Sequence, residues 1–225
     1  TKWTGDFQAK NMGNNGTGAT DAMISDMTIY LKHDLSLDLK QGTDTINGTS
    51  GNDALFLQNF GSNGDELYFQ DAGGNSGNPR LSGITNINLL EGKNFLDLTS
   101  STTSLAGKSL QITTGTDDDI LWLSDANENV NSGNGNDQIT VNGGTDILAT
   151  SLGSDIVTIS KNSGNLTISD FDISTDKFVF QVASNKVSVS GNQITVDNID
   201  PIGDYVITLS NSPDLSNLSS FSTFA

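Results

Sequence analysis

Acidic residues recur at every ninth position through the middle of this 225-residue chain: Asp119, Glu128, Asp137, Asp146 and Asp155. Two residues after each stands an apolar one (Leu121, Val130, Ile139, Leu148, Val157), and that series runs on to Ile112 and Leu166. A further column, Leu123, Ser132, Val141, Thr150, Ile159 and Ile168, is apolar or hydroxylated. Two positions before the acids come Asp117, Ala126, Gly135, Gly144 and Gly153. A turn-rich composition alone does not hold three columns in phase, so the chain is confined to repeat architectures.

The repeat reads G-x-G-x-D-x-U-x-x, with U apolar. Its U-x-U part alternates with the period of a strand, which turns one face inward. Its Gly/Asn-rich half forms a turn, where glycine permits positive φ and close backbone approach. One strand and one turn make half a coil. The expected fold is therefore all-β: a parallel β-roll or β-helix of stacked nine-residue half-coils, stabilised by the stacking itself. Residues eighteen apart superimpose, so Asp119, Asp137 and Asp155 line one edge while Glu128 and Asp146 line the other.

Like charges about 5 Å apart, the spacing of adjacent strands, repel unless a cation lies between them. Calcium suits such edges because it takes six to eight oxygens in loose geometry; magnesium requires a tighter octahedron, and zinc prefers nitrogen and sulfur. A single Asp in a glycine-rich turn is more often an Asx-turn former. Five acids in phase with glycines reverse that reading.

An earlier block has the same grammar: Gly42-Thr-Asp44-Thr-Ile46 and Gly51-Asn-Asp53-Ala-Leu55 are nine apart at every matching position. The register then drifts over 57–111. Ile87/Leu89 and Leu96/Leu98 restore it, but Thr85 and Asn94 hold the acid position, so those turns are expected to bind metal poorly or not at all. Three regions follow: strands of 1–41 leading into the stack, a calcium-binding roll over 42–168 with its irregular middle, and a C-terminal cap over 169–225.

The net charge of −17 argues against nucleic acid, whose phosphates would be repelled. The absence of cysteine excludes a disulfide scaffold and Cys-ligated zinc. No apolar run is long enough to span a bilayer, and no cleavable signal opens the sequence. Thr1 is not an initiator methionine, so the chain reads as a piece of something longer. Catalysis has little support. His33 is the only histidine, without an H-E-x-x-H arrangement, and no G-x-S-x-G elbow or cysteine nucleophile is present. The chain is expected not to be an enzyme.

The segments Gly48-Thr-Ser-Gly-Asn-Asp-Ala-Leu55 and Ser132 to Val141 resemble the RTX nonapeptide repeats, and the likeness covers roughly residues 42–180. The resemblance implies several calcium ions in the glycine-rich turns, held largely by the Asp of each repeat and by turn carbonyls. By position it nominates Asp44, Asp53, Asp119, Asp137, Asp146 and Asp155, with Glu128 the least regular member. Turn positions Gly51, Asp117, Gly133, Asn134, Gly135, Gly144 and Gly153 accompany them.

Leu166 to Phe180 is similar to the element that closes such rolls, with Phe171, Phe178 and Phe180 placed to plug the open end. Two roles are open to Asp170, Asp172 and Asp176: a further calcium site or turn capping. Strands Val187–Val189, Gln193–Val196 and Tyr205–Leu209 are expected to complete a small antiparallel cap. The tail Leu215 to Ala225 resembles the uncleaved signals of type I secretion substrates, although a frayed terminus would look the same. Leu81-Ser-Gly-Ile-Thr-Asn-Ile-Asn-Leu-Leu and Phe95-Leu-Asp-Leu-Thr-Ser resemble coils of bacterial surface-layer and giant adhesin proteins. The resemblance thus implies a secreted, cell-surface protein whose partners are calcium, the type I machinery, and copies of itself or a surface polysaccharide. A carbohydrate-binding or adhesive module using Trp3, Trp122 or Tyr68 is the alternative, as is the non-catalytic tail of a secreted polysaccharide-active enzyme or protease.

Overall fold

The computed structural model describes residues 86–99, 105–197 and 203–225 in full. Of the rest it describes the backbone of strands Lys2–Thr4, Met27–Tyr30, Ser36–Asp38, Asp44–Asn47, Asp53–Phe56, Tyr68–Phe69 and Asn78–Pro79, and the start of Ile84–Leu90. Successive strands alternate between two facing sheets. One sheet runs Asp44–Asn47, Ile84–Leu90, Ser109–Thr114, Asn127–Asn131, Thr145–Ala149, Asn165–Ile168 and Tyr205–Leu209, and ends in a hairpin. The other runs Met27–Tyr30, Asp53–Phe56, Phe95–Asp97, Ile120–Trp122, Gln138–Val141, Ile156–Ile159, Lys177–Phe180 and Ser222–Phe224. Between neighbouring coils the pairing is parallel, with Leu121 against Ile139 and Ile139 against Val157. Two half-coils make one turn, as the nine-residue period requires.

Period-two alternation builds the core. Leu96, Leu121, Ile139, Val157 and Phe178 stack from one sheet, opposite Ile87, Ile112, Val130, Leu148 and Ile168 from the other, and all are buried. The acids belong to this inward set. Along Asn127–Asn131 the pattern alternates exposed and buried, and Glu128 takes a buried place beside Val130. The drifting segment joins the same stack: Ile46 pairs with Ile87 and Leu55 with Leu96, and irregular registers at Asp44/Thr45 and Thr113/Thr114 absorb the mismatch.

The C-terminal region extends the roll instead of sitting on it. Val187–Ser190, Gln193–Val196 and Tyr205–Leu209 form the expected antiparallel set, but Tyr205–Leu209 also pairs in parallel with Asn165–Ile168. The tail is packed. Ser222–Phe224 lies parallel to Lys177–Phe180, and Leu215 and Phe221 are buried. Phe171, Phe178 and Phe180 do plug the end: Phe171 stacks on Phe178 at 4.3 Å, and Phe180 stacks on Phe224 at 5.3 Å. Among the described residues no helix is long and apolar enough to cross a membrane.

Candidate calcium-binding edges

At the first edge, turns connect a buried hydroxyl residue to a buried acid: Thr114 to Asp119, Ser132 to Asp137, Thr150 to Asp155. The acids are wired from coil to coil. The amide of Asn94 donates to Asp119 Oδ1 at 2.7 Å, that of Asp119 to Asp137 Oδ1 at 2.9 Å, and that of Asp137 to Asp155 Oδ1 at 2.8 Å. The amide of Asp155 then donates to Asp176 Oδ1 at 3.1 Å. One oxygen of each carboxylate thus fixes coil register. The other oxygens, Oδ2 of Asp119, Asp137 and Asp155, are buried without any hydrogen-bond donor. On the second edge the amide of Glu128 donates to Asp146 Oδ1 at 2.9 Å, Glu128 Oε1 accepts the amide of Ser124 in its own turn at 3.0 Å, and Glu128 Oε2 and Asp146 Oδ2 are likewise buried and unpartnered.

A buried carboxylate oxygen with no donor is costly, so these five positions call for positive charge. Burial pushes the carboxyls toward protonation, raising Asp137 to about 6 and Asp155 to about 7, the latter also through the charges of Asp176 and Asp137. Burial also raises Asp119, against the easing effect of the Thr114 hydroxyl and the Asn94 amide. Glu128 and Asp146 are raised by burial too, with Glu128's charge adding to the effect on Asp146.

Among the described residues no three Asp, Glu or His side chains gather around one point. A bound ion must therefore draw on main-chain oxygens as well. The turns supply them in close order. At Gly153 (φ 154°) an added Cβ would collide with the carbonyl of Gly135 one coil away, and at Gly144 (φ 91°) with the carbonyl of Ala126. Glycine is needed at these two positions because neighbouring turns stack backbone on backbone. All donors are hard oxygens, with no sulfur or imidazole among them, which fits calcium.

Residues 40–57, 111–139 and 122–157 match the model of the RTX calcium-binding nonapeptide repeat. The chain carries RTX calcium-binding repeats. Its cofactor is calcium, bound at several sites. No curated protein matches the chain. The AlgE6R3 subunit of the mannuronan C5-epimerase from Azotobacter vinelandii aligns at 21% identity over 57% of this chain and 86% of its own, with a TM-score of 0.23. The extracellular lipase LipA from Serratia marcescens aligns at 18% identity with a TM-score of 0.31; 96% of this chain spans 42% of the lipase. At scores this low neither likeness carries weight here.

Within the RTX repeats, the structure brings Asp119, Asp137 and Asp155 onto one edge and Glu128 and Asp146 onto the other, as the eighteen-residue spacing requires. Asp117 is different: its side chain is exposed and its Oδ2 accepts the amide of Gly92 at 3.1 Å, so only its carbonyl, packed against Gly135, belongs to the turn interior. Gly133 lies against the carbonyl of Gly115 in the same manner. Asn94 takes the acid's place in its coil and ties its own turn, donating to the carbonyl of Gly92 at 2.9 Å.

Asp170, Asp172 and Asp176 act as caps. Asp170 accepts the amides of Thr150 and Ser151, Asp172 that of Ser174, and Asp176 those of Asp155 and Asp172. Gly51 and the side chains of Asp44 and Asp53 lie outside the described residues, as do His33 and the side chains of Trp3 and Tyr68. The backbones of Asp44 and Asp53 open the strands Asp44–Asn47 and Asp53–Phe56.

A second, outer ladder escaped the sequence reading. The residue before each acid also bonds across coils: the amide of Asn136 donates to Asp118 Oδ1 at 2.9 Å, that of Ser154 to Asn136 Oδ1 at 3.0 Å, and that of Thr145 to Asn127 Oδ1 at 2.9 Å. The signal was available, since Asp118, Asn127, Asn136, Thr145 and Ser154 are themselves nine apart.

Proposed function

We propose that this chain is a calcium-stabilised structural module of a protein that works outside the cell, without catalytic activity of its own. The carrying observation is the set of five buried carboxylates, each with one oxygen held by a backbone amide, of the next coil for the four aspartates and of Ser124 in its own turn for Glu128, and the other oxygen without a donor. Asp119, Asp137 and Asp155 would hold ions between successive turns of the first edge, together with turn carbonyls. Bound calcium supplies the positive charge those oxygens lack and clamps one coil to the next. Extracellular calcium sites commonly have dissociation constants of about 10⁻⁴ to 10⁻³ M, so such a fold is soft in a calcium-poor cytoplasm and firm outside. That contrast suits export by a type I system followed by folding on the far side. The finer reading is a surface-layer or large adhesin polypeptide, supported by the likeness of residues 81–100 to coils of those proteins.

Calcium titration followed by circular dichroism and thermal melting tests this reading. The wild-type chain is expected to gain a large rise in melting temperature. Asp137→Ala and Asp155→Ala are expected to lose much of it, and an untouched calcium response in both variants rejects the assignment. One observation favours a second reading, a glycan-binding face: Trp122 is 40% exposed on an outward strand surface and is held edge-on by Phe95 at 5.1 Å. Glycan-array binding that Trp122→Ala abolishes would support it.

A further inference from the structure

On the outside of the second edge, four turns in a row enclose a cleft of about 260 Å³, near the lower end of the volumes that hold small ligands. Each coil contributes. Thr99 follows strand Phe95–Asp97, Asp125 follows Ile120–Trp122, Asn142 and Gly143 follow Gln138–Val141, and Asn162 follows Ile156–Ile159. Those strands are successive neighbours in one sheet, so the cleft crosses three strand spacings, about 14 Å. Leu123 adds an apolar part to the lining. Gly143 does not have the positive φ that calls for glycine at Gly144. A Cβ there would stand 3.0 Å from the Cβ of Asp125, so the missing side chain is a matter of space: it lets Asp125 close in and leaves the cleft unfilled. The polar groups are held in place. Asn142 Nδ2 donates to the carbonyl of Leu123 at 2.6 Å, which leaves its Oδ1 as an acceptor. Asp125 is half-buried, and its Oδ1 accepts the amide of Leu105. Asn162 is exposed and offers both a donor and an acceptor.

We infer that this cleft binds a short neutral oligosaccharide laid across the coils. Each sugar hydroxyl both donates and accepts, and the lining answers both needs: the carboxylate of Asp125 and the oxygen of Asn142 accept, and the amide group of Asn162 donates. No basic side chain lines the cleft, its one formal charge is that of Asp125, and the chain as a whole carries −17. Uronate, sulfated and phosphorylated ligands are therefore repelled. A peptide fits less well, because extended peptides add to an open strand edge, and strands Ile120–Trp122 and Gln138–Val141 are paired on both sides. Trp122 immediately precedes Leu123 and is exposed, so an aromatic face lies just outside the cleft for a sugar ring to stack on. The inference rests on the glycan reading of Trp122 and deepens it, giving that ligand a polar cleft and a charge class.

Isothermal titration of the full chain in excess calcium, with cellotriose, mannotriose, maltotriose and trigalacturonate as probes, tests this. At least one neutral trisaccharide should bind, and trigalacturonate should not. Asp125→Asn keeps the shape and the acceptor for Leu105 but removes the charge, and Asn162→Ala trims an exposed side chain. Each should weaken binding about tenfold, the worth of one hydrogen bond of this kind. Both variants should keep the calcium-induced rise in melting temperature, which shows that the roll is intact. Unchanged affinity in both overturns the cleft. If Trp122→Ala abolishes binding in that same case, the sugar lies on the outer sheet face and only the present inference fails. If Trp122→Ala has no effect while Asp125→Asn and Asn162→Ala weaken binding, the cleft stands and the Trp122 face does not. Failure of every neutral trisaccharide to bind, or a preference for trigalacturonate, overturns the inference.

Discussion

The central coils and the C-terminal end of the roll fill the same inward columns with opposite chemistry. Above Val157 and Ile159 the stack continues into Phe178 and Phe180, which pack with Phe171 and Phe224. Beside them the acid column runs Asp119, Asp137, Asp155 and stops at Asp176, whose two oxygens both have amide donors. Burying phenylalanine is favourable in any buffer. Burying a carboxylate with a free oxygen is unfavourable until a cation arrives. One continuous stack therefore has an unconditional end and a conditional middle. The ladder ends on a satisfied rung, so the closed end lacks the unpartnered acid oxygen that each rung leading to it carries.

Removing calcium should have the largest effect and should fall on the middle. With free calcium at about ten times the dissociation constant, linkage gives roughly 1.4 kcal/mol per site, so three or four sites contribute on the order of 5 kcal/mol. For a chain of this size that corresponds to a fall of about 10–20 °C in melting temperature. The pH dependence carries a sign. Asp137 and Asp155 have folded values raised from 3.8 to about 6 and about 7, so the folded, calcium-free chain takes up protons. The stability these two carboxyls contribute is fully present below about pH 4 and is lost as pH rises through 6 and 7. Calcium requires the deprotonated carboxylates, so its benefit runs the other way. Melting curves recorded in calcium and in chelator should converge near pH 4 and separate above pH 7. Parallel curves would show that the middle is not conditional.

Phe178→Ala should act at the other region and without regard to metal. Truncating a fully buried phenylalanine costs about 3–5 kcal/mol. Denaturant unfolding should show a similar loss in calcium and in chelator. A loss that appears only in calcium would mean that the closed end folds as part of the clamped middle, which would erase the contrast.

How much of this was legible follows the period. Where nine residues repeat without interruption, from Asp119 to Val157, the sequence predicted the strand faces, the pairing register and the two acid edges, because side-chain direction in stacked coils depends only on phase. Where turns lengthen, phase is lost. The turn before Asn165 is longer, so Leu166, expected in the column of Leu148, pairs with Asp146 instead, and Ile168 takes the place beside Leu148. The tail was ambiguous for another reason: Leu215, Phe221 and Phe224 are scattered among serines, and only the open edge of Lys177–Phe180 gives Ser222–Phe224 a place to pair. The acids' inward direction followed from alternation. That Asp119, Asp137, Asp146 and Asp155 would split their two oxygens between a ladder amide and an empty neighbour depends on backbone distances no residue pattern specifies.

The outer ladder offers the finest test, since it joins the same coils as the acids through exposed groups, and its carboxylate, Asp118, is already paired with Lys93. Asn136 is exposed, donates its amide to Asp118 and accepts that of Ser154. Asn136→Ala removes the acceptor for Ser154 and the Nδ2 donor to Asp118 Oδ1, and keeps the backbone donor to Asp118. Each of the two lost hydrogen bonds is worth about 0.5–1.5 kcal/mol, and because the site is wet the values should lie near the lower end. The loss should be equal in calcium and in chelator, and calcium affinity should not change, because the side chain faces away from the buried row. If Asn136→Ala weakens calcium binding as well, the two ladders are one unit: register at the surface then sets the spacing of the carboxylates within, and the conditional middle includes its outer rungs.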